Sequence, residues 1–235
     1  MTAGNLIYPP HCALCDHILG KNEDEVCCAC RKKIHFISDP KCSRCGRPLT
    51  DDTEEYCEHC RTHIRMFEEG FAPFVYDGAV KEAIMRLKYG HRAEHAVFFA
   101  RAMYCAGRDF LNRAKPQMIV PVPIHRGRSI RRGYNQAGLL AEKLSHFSGI
   151  PCQKKLITRV RGTMPQKELD MRQRRKNLRG VFRVNTLQGE MPDRILVVDD
   201  IFTTGSTIDT IAACLLRAGA KSVYFACATI APLQK

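Results

Sequence analysis

A doubly wound α/β domain on a mainly parallel sheet, standing behind a small cysteine-rich domain, is what the order of segments in this chain predicts. Three observations lead there. Eight cysteines repeat in register near the N-terminus, and beyond them apolar, strand-length runs alternate with amphipathic helical stretches. The charge also divides: residues 1–65 hold 9 Lys/Arg against 10 Asp/Glu, whereas residues 66–235 hold 28 against 14. A length of 235 residues accommodates two such units. The boundary is therefore expected near 65, with domains 1–65 and 66–235.

The cysteines come first. Cys12, Cys15, Cys27 and Cys30 read C-x2-C-x11-C-x2-C, and Cys42, Cys45, Cys57 and Cys60 repeat that pattern displaced by 30 residues. Cys28 falls outside it. A C-x2-C turn brings two thiolates to one metal, and two such turns complete a tetrahedral four-sulfur shell suited to Zn²⁺. Segments this small bury too little surface to fold unaided, so the metal supplies folding free energy. A closed shell leaves no open position for substrate. Two structural zinc ions are therefore expected. Sequential pairing makes two ribbons and an interleaved cross-brace is the alternative; the short gap within each quartet favours the sequential one. His11, His17, His59 and His63 lie nearby, but each quartet is complete without them, and they read as solvated surface residues.

No run of about 18 apolar residues occurs, and the N-terminus lacks a basic stretch followed by an apolar one. A cytoplasmic protein without membrane insertion is expected, a reducing setting in which clustered cysteines hold metal rather than disulfides.

The second domain begins near Phe71. "FAPFVYDG" reads as a strand and turn, and "AVKEAIMRLKYG" as a helix with Ala83, Ile84 and Leu87 inward. "EHAVFFARAMYCAG" is a second helix, "MIVPVP" (118–123) a short buried strand, and "GYNQAGLLAEKLSHFSG" a helix ending at Gly149. "RILVVDD" holds an all-apolar strand of the parallel kind, "TIDTIAACLLRAGA" a helix, and "SVYFACATI" a last buried strand. In such sheets ligands bind at the carboxyl ends of the strands.

"DDIFTTGST" sits at such an end. Unpaired N–H groups at the start of the next helix favour an anion, Thr203, Thr204, Ser206 and Thr207 add hydroxyls, and Gly205 lets the backbone close around a phosphate. The G-x4-G-K-[ST] pattern of a Walker A loop is absent. Two carboxylates, Asp199 and Asp200, ahead of a phosphate cradle suit a ligand carrying both a phosphate and vicinal hydroxyls, as a ribose 5-phosphate does.

"ILVVDDIFTTGST" (195–207) resembles the 5-phosphoribosyl 1-pyrophosphate (PRPP) motif of type I phosphoribosyltransferases. The resemblance implies that Asp199 and Asp200 meet the ribose hydroxyls while Thr203, Thr204, Gly205, Ser206 and Thr207 hold the 5-phosphate. "PVPIHRGRSIRRGYNQAGLLAEKL" (121–144), "MPQKELDMRQRRKNLRGVF" (164–182) and "LKYGHR" (87–92) resemble the ComF family, proteins associated with DNA uptake that couple a zinc ribbon to a phosphoribosyltransferase-like domain. The complete second quartet departs from the many relatives that keep only one. By the same resemblance Val122, Pro123 and Ile124, with His125 and Arg126, form the pyrophosphate turn, and 131–136 a flap. Loss of pyrophosphate would need Mg²⁺ and cations on the leaving group, a task for Arg131 and Arg132, with Asp199 and Asp200 near the developing positive charge.

Residues 125–185 hold 16 Lys/Arg against Glu142, Glu168 and Asp170. The densest run supplies Arg172, Arg174, Arg175, Lys176 and Arg179, more cations than PRPP can use. A groove for single-stranded DNA is expected, with Tyr134, Phe147 and Phe182 as candidate stacking rings. Three functions compete: a DNA-uptake protein that binds PRPP and single-stranded DNA, an active phosphoribosyltransferase with an unknown acceptor, and a scaffold docking a helicase or another competence protein. The first is favoured, because no acceptor pocket is recognisable in the sequence.

Overall fold

The computed structural model describes residues 9–21, 23–124, 133–160 and 180–232. The cysteine repeat is also a repeat of backbone hydrogen bonds. Cys12 N–H donates to His17 O (2.7 Å) and Ala13 N–H to Glu25 O (2.9 Å); thirty residues on, Cys42 N–H donates to Arg47 O (2.8 Å) and Ser43 N–H to Glu55 O (3.0 Å). The turn residues Asp16 and Gly46 share a left-handed backbone, at φ 64° and 70°. Each ribbon ends in a short helix, α1 (Cys28–Arg31) in the first and α2 (Glu58–Thr62) in the second.

Beyond the ribbons the order is β1 (Gly70–Phe71), β2 (Phe74–Val75), α3 (Gly78–Tyr89), a 3₁₀ turn (Ala93–His95), α4 (Ala96–Ala114), β3 (Met118–Pro121) and α5 (Gln136–Ser148). Then follow β4 (Ile157–Arg159), β5 (Phe182–Val184), β6 (Arg194–Phe202), α6 (Ser206–Arg217) and β7 (Ser222–Ile230). The main sheet runs β1-β7-β6-β3, with β2 also on β7, and every pairing in it is parallel. The expected doubly wound architecture is what forms.

Strand β6 shows how the two layers arise. Ile195 and Val197 face a layer with Ile208, Ile211 and Leu215 of α6 and the second cysteine quartet. Leu196 and Val198 face the other, with α3, α4, α5 and Cys12 of the first ribbon. Period-2 alternation in a strand covered on both sides produces this division. The expected inward stripe of α3, Ala83, Ile84 and Leu87, is fully buried. Gly107 on α4 sits against Phe71, whose ring would lie 2.1 Å from any Cβ there.

Two features differ from expectation. The single strand read in "FAPFVYDG" is two short pieces, Phe71 pairing with Ala226 and Phe74 with Thr229. Pro73 has no N–H for the ladder, and its carbonyl accepts from Ile37 instead. Strands β4 and β5 form a separate antiparallel pair that was not foreseen.

Candidate functional site

Strands β3 and β6 pair in parallel up to Pro121 with Val198, and the Val122 N–H donates to Val198 O at 2.8 Å. The turn of Val122, Pro123 and Ile124 thus leaves β3 beside the point where β6 presents Asp199 and Asp200. Asn135 Nδ2 donates to Val122 O at 3.0 Å and fixes that turn to the start of α5. The acids do not lie beyond the strand. β6 continues through them to Phe202, with Asp199 paired to Cys227 and Thr229 Oγ1 donating to Asp200 O.

Continued pairing keeps the two carboxylates close to the core, and their environments diverge. Asp200 N–H donates to Asp199 Oδ1 at 2.8 Å. Lys88, from the last turn of α3, places Nζ 2.9 Å from Asp200 Oδ1, with only 16% and 13% of the two side chains exposed. Burial works against the Lys88 ammonium, but the Asp200 carboxylate outweighs it and raises the Lys88 pKa. Burial, and then the Asp200 charge, push Asp199 up to about 8, against opposing effects of Lys88 and Arg159. At neutral pH the set holds one ion pair and one largely protonated acid, a neutral arrangement that can both donate to and accept from sugar hydroxyls.

Sequence reasoning did not assign Lys88 to the site. A lysine in the last turn of an amphipathic helix reads as a solvated cation at the helix C-terminus. Its place within "LKYGHR" was the available signal.

The loop after β6 carries the second half. Gly205 caps α6 at φ 82°, and a Cβ there would meet the Phe202 ring at 2.9 Å and Arg65 Nη1 at 3.0 Å. Only glycine fits both demands. Ser206 is buried, its Oγ 2.9 Å from Thr204 Oγ1, while Thr203 is exposed. The first N–H groups of a helix have no intrahelical acceptor, and α6 begins at Ser206, so its donors follow the acid pair closely in the chain.

The other assigned residues are less well placed. Arg131 and Arg132, with His125 and Arg126, lie outside the described residues, as do Arg172, Arg174, Arg175, Lys176 and Arg179. The described flanks of the basic segment meet: Val160 N–H donates to Val181 O at 2.8 Å. Phe182 is not a stacking platform. It is 6% exposed, part of the core, with Arg159 over its ring. The Tyr134 hydroxyl donates to Leu87 O, and Arg101 lies over Phe147.

The cysteines settle the ribbon pairing. Cys12, Cys15, Cys27 and Cys30 form one group, and Cys42, Cys45, Cys57 and Cys60 a second, each with its Sγ atoms within 4.8 Å of one another. Pairing is sequential, and the four-sulfur sets fit structural zinc. Cys28 is exposed outside both, its N–H on Glu23 Oε1. Metal analysis of the loaded protein should find two zinc ions per chain, unchanged in Cys28→Ser; one or fewer would contradict the two-site arrangement. His59 departs from the expected solvated state: its Nδ1 is buried, and burial with Arg47 and Arg65 nearby lowers its pKa.

Residues 3–61 match the family model described as a double zinc ribbon domain. "DNA utilization protein YhgH" of Escherichia coli (strain K12) is 35% identical over 156 residues, 65% of this chain and 67% of that one. "Competence protein F" of Haemophilus influenzae is 36% identical over 144 residues, 60% of this chain and 63% of its own, so the chain spans just under two thirds of that relative's length. "Competence protein ComFC" of Bacillus subtilis is 29% identical over 232 residues, 92% and 93% of the two chains. A purine phosphoribosyltransferase structure from Pyrococcus horikoshii matches at a TM-score of 0.33 and 24% identity over 55% of this chain and 72% of that one. Two sequential four-cysteine ribbons lead into a parallel sheet bearing the Asp199–Thr207 loop, and with the competence and DNA utilization proteins matched to this extent the chain belongs to the ComF family.

Proposed function

We propose that this chain acts in DNA uptake, binding PRPP with Mg²⁺ at the carboxyl edge of its sheet and single-stranded DNA through its basic segment. The observation that carries the reading is convergence. The turn 122–124, the acids Asp199 and Asp200 with Lys88, and the loop 203–207 with the start of α6 all meet at one edge of the sheet. Vicinal ribose hydroxyls would meet the acid pair, where Asp199 can donate and Asp200 accept. The 5-phosphate would sit on the N–H and hydroxyl donors of 203–207. The diphosphate would lie along 122–124 with Mg²⁺ on its oxygens and Arg131 and Arg132 nearby. The DNA role is supported by relatives named for competence and DNA utilization and by five cations within 172–179 with no acidic residue among them. No described helix is long and apolar enough to cross a membrane; the cytoplasm is the location proposed for it. A helicase or another competence protein is the partner proposed for it.

The DNA half is tested by salt dependence. Affinity for single-stranded DNA should fall with salt at roughly 0.7 log units per log salt for each phosphate neutralised. Replacing Arg172, Arg174, Arg175 and Lys176 by Ala should flatten that slope by about two to three units if all four make contact, with PRPP affinity kept. Salt-insensitive binding, or a variant that loses PRPP and keeps DNA, would overturn this half and favour the phosphoribosyltransferase reading.

A further inference from the structure

Among the described residues, the second ribbon is bonded to the loop after β6 and the first ribbon is not. Arg47 closes the Cys42–Cys45 knuckle, its carbonyl accepting from the Cys42 N–H. Its side chain turns away from the ribbon and donates to Thr203 O at 2.5 Å and to Ala231 O, with the residue only 2% exposed. Arg65 follows Cys60 closely. It donates to Thr204 O at 2.8 Å, to Asp209 Oδ2 at 2.9 Å and to His59 O at 3.2 Å, so one guanidinium joins α2, the loop and the first turn of α6. The Met66 N–H takes the other Asp209 oxygen. The first ribbon instead bonds to α3, α4 and the chain between them, through Arg86 to Leu14 O, Arg92 to Asp16 and Arg101 to Glu25.

These contacts act on the direction of the loop's peptide groups. In a planar trans peptide the C=O and the following N–H point opposite ways. Holding the carbonyls of Thr203 and Thr204 toward the ribbon therefore turns the N–H groups of Thr204 and Gly205 away from it, toward the open side where an anion would lie. A guanidinium can hold several acceptors at once in a fixed plane, which an ammonium cannot.

We propose that Arg47 and Arg65 are positioning residues for the phosphate-binding loop, and that zinc at the second quartet and a phosphate ester at the loop are thermodynamically linked. This rests on the ligand reading above for the identity of the anion, but not for the loop geometry. Linkage is reciprocal, so PRPP should slow zinc loss from the second site as much as zinc favours PRPP. The first site should be indifferent.

Zinc-loaded Arg47→Lys and Arg65→Lys chains test this, since each keeps the charge and loses the fork. Amide hydrogen exchange at 203–207 should quicken about tenfold, the scale of one hydrogen bond, while 195–198 in the same strand stay unchanged. PRPP affinity should fall by a similar factor, and PRPP should slow zinc transfer to a chromogenic chelator in the wild type but not in the variants. If Arg65→Lys fails to fold, Asp209→Asn, which loosens Arg65 without emptying its place, is read the same way, and if Arg47→Lys fails, Arg47→Gln, which keeps one donor toward Thr203 O, replaces it. Loop exchange left unchanged, or exchange raised equally at 195–198, would show that the arginines only attach the ribbon and would overturn the proposal. A wild type that binds no PRPP would sink the ligand reading, while the exchange comparison would still decide the positioning role.

Discussion

Replacing Cys57 and Cys60 by Ser is expected to weaken the sheet domain as well as to release zinc from the second ribbon. The four cysteines of that quartet are buried in one cluster with Phe67, Phe202 and Phe225. Phe202 and Phe225 stack at 4.4 Å, with Phe67 edge-on to Phe225 at 4.9 Å. Without metal the ribbon loses its main source of folding free energy. The buried Arg65–Asp209 pair, which also holds His59 O of the second ribbon, is then left without its support. Urea unfolding followed by far-ultraviolet circular dichroism should show the sheet's transition shifted to lower urea. The matching change at Cys27 and Cys30 should shift it less, since Cys15 is exposed and Cys27 and Cys30 are only half-buried. A sheet transition unmoved by Cys57→Ser with Cys60→Ser would contradict the shared core.

Asp199→Asn is expected to raise stability at alkaline pH. The folded protein holds the Asp199 proton up to about pH 8, while the ordinary carboxyl of an unfolded chain releases it near 3.8. Between those values the folded state binds more protons than the unfolded one, so the stability this proton supplies is complete below the lower value. It is lost as pH rises through the upper one, at up to about 1.4 kcal/mol per pH unit. Asparagine keeps the shape of the protonated acid without the proton. The difference between variant and wild type in urea unfolding should therefore be small near pH 4 and should grow toward pH 8 in favour of the variant. A difference flat with pH would show that Asp199 is solvated and ionised throughout.

The zinc sites and the loop were legible in the sequence because their information is local. Cysteine spacing within a quartet sets the metal shell, and an apolar run followed by Asp199, Asp200 and small hydroxyl residues sets a strand, a turn and a helix start. What stayed hidden depends on distant partners. Lys88 looks solvated until α3 brings it to Asp200, and Arg47 and Arg65 look like ordinary ribbon charges until the ribbon docks on 203–204. The desolvation of Asp199 follows from β6 pairing with β7 beyond the acids, which an apolar run ending at Val198 does not announce. Strands β4 and β5 are three residues each, at either end of a long basic segment, too short for a periodic signal. The break at Pro73 has a local signal, a proline inside "FAPF", which the reading of that stretch as a single strand passed over.

Calorimetric titration of PRPP with Mg²⁺ into the wild type and into Asp199→Asn/Asp200→Asn is the most direct test of the ligand assignment. Two carboxyl contacts to ribose hydroxyls imply an affinity loss of at least about a hundredfold in the variant. Its fold, checked by circular dichroism because Lys88 loses its charged partner, should persist. One-to-one binding in the wild type and none measurable in the folded variant is the predicted result; equal affinity in both, or no binding to the wild type, would contradict it.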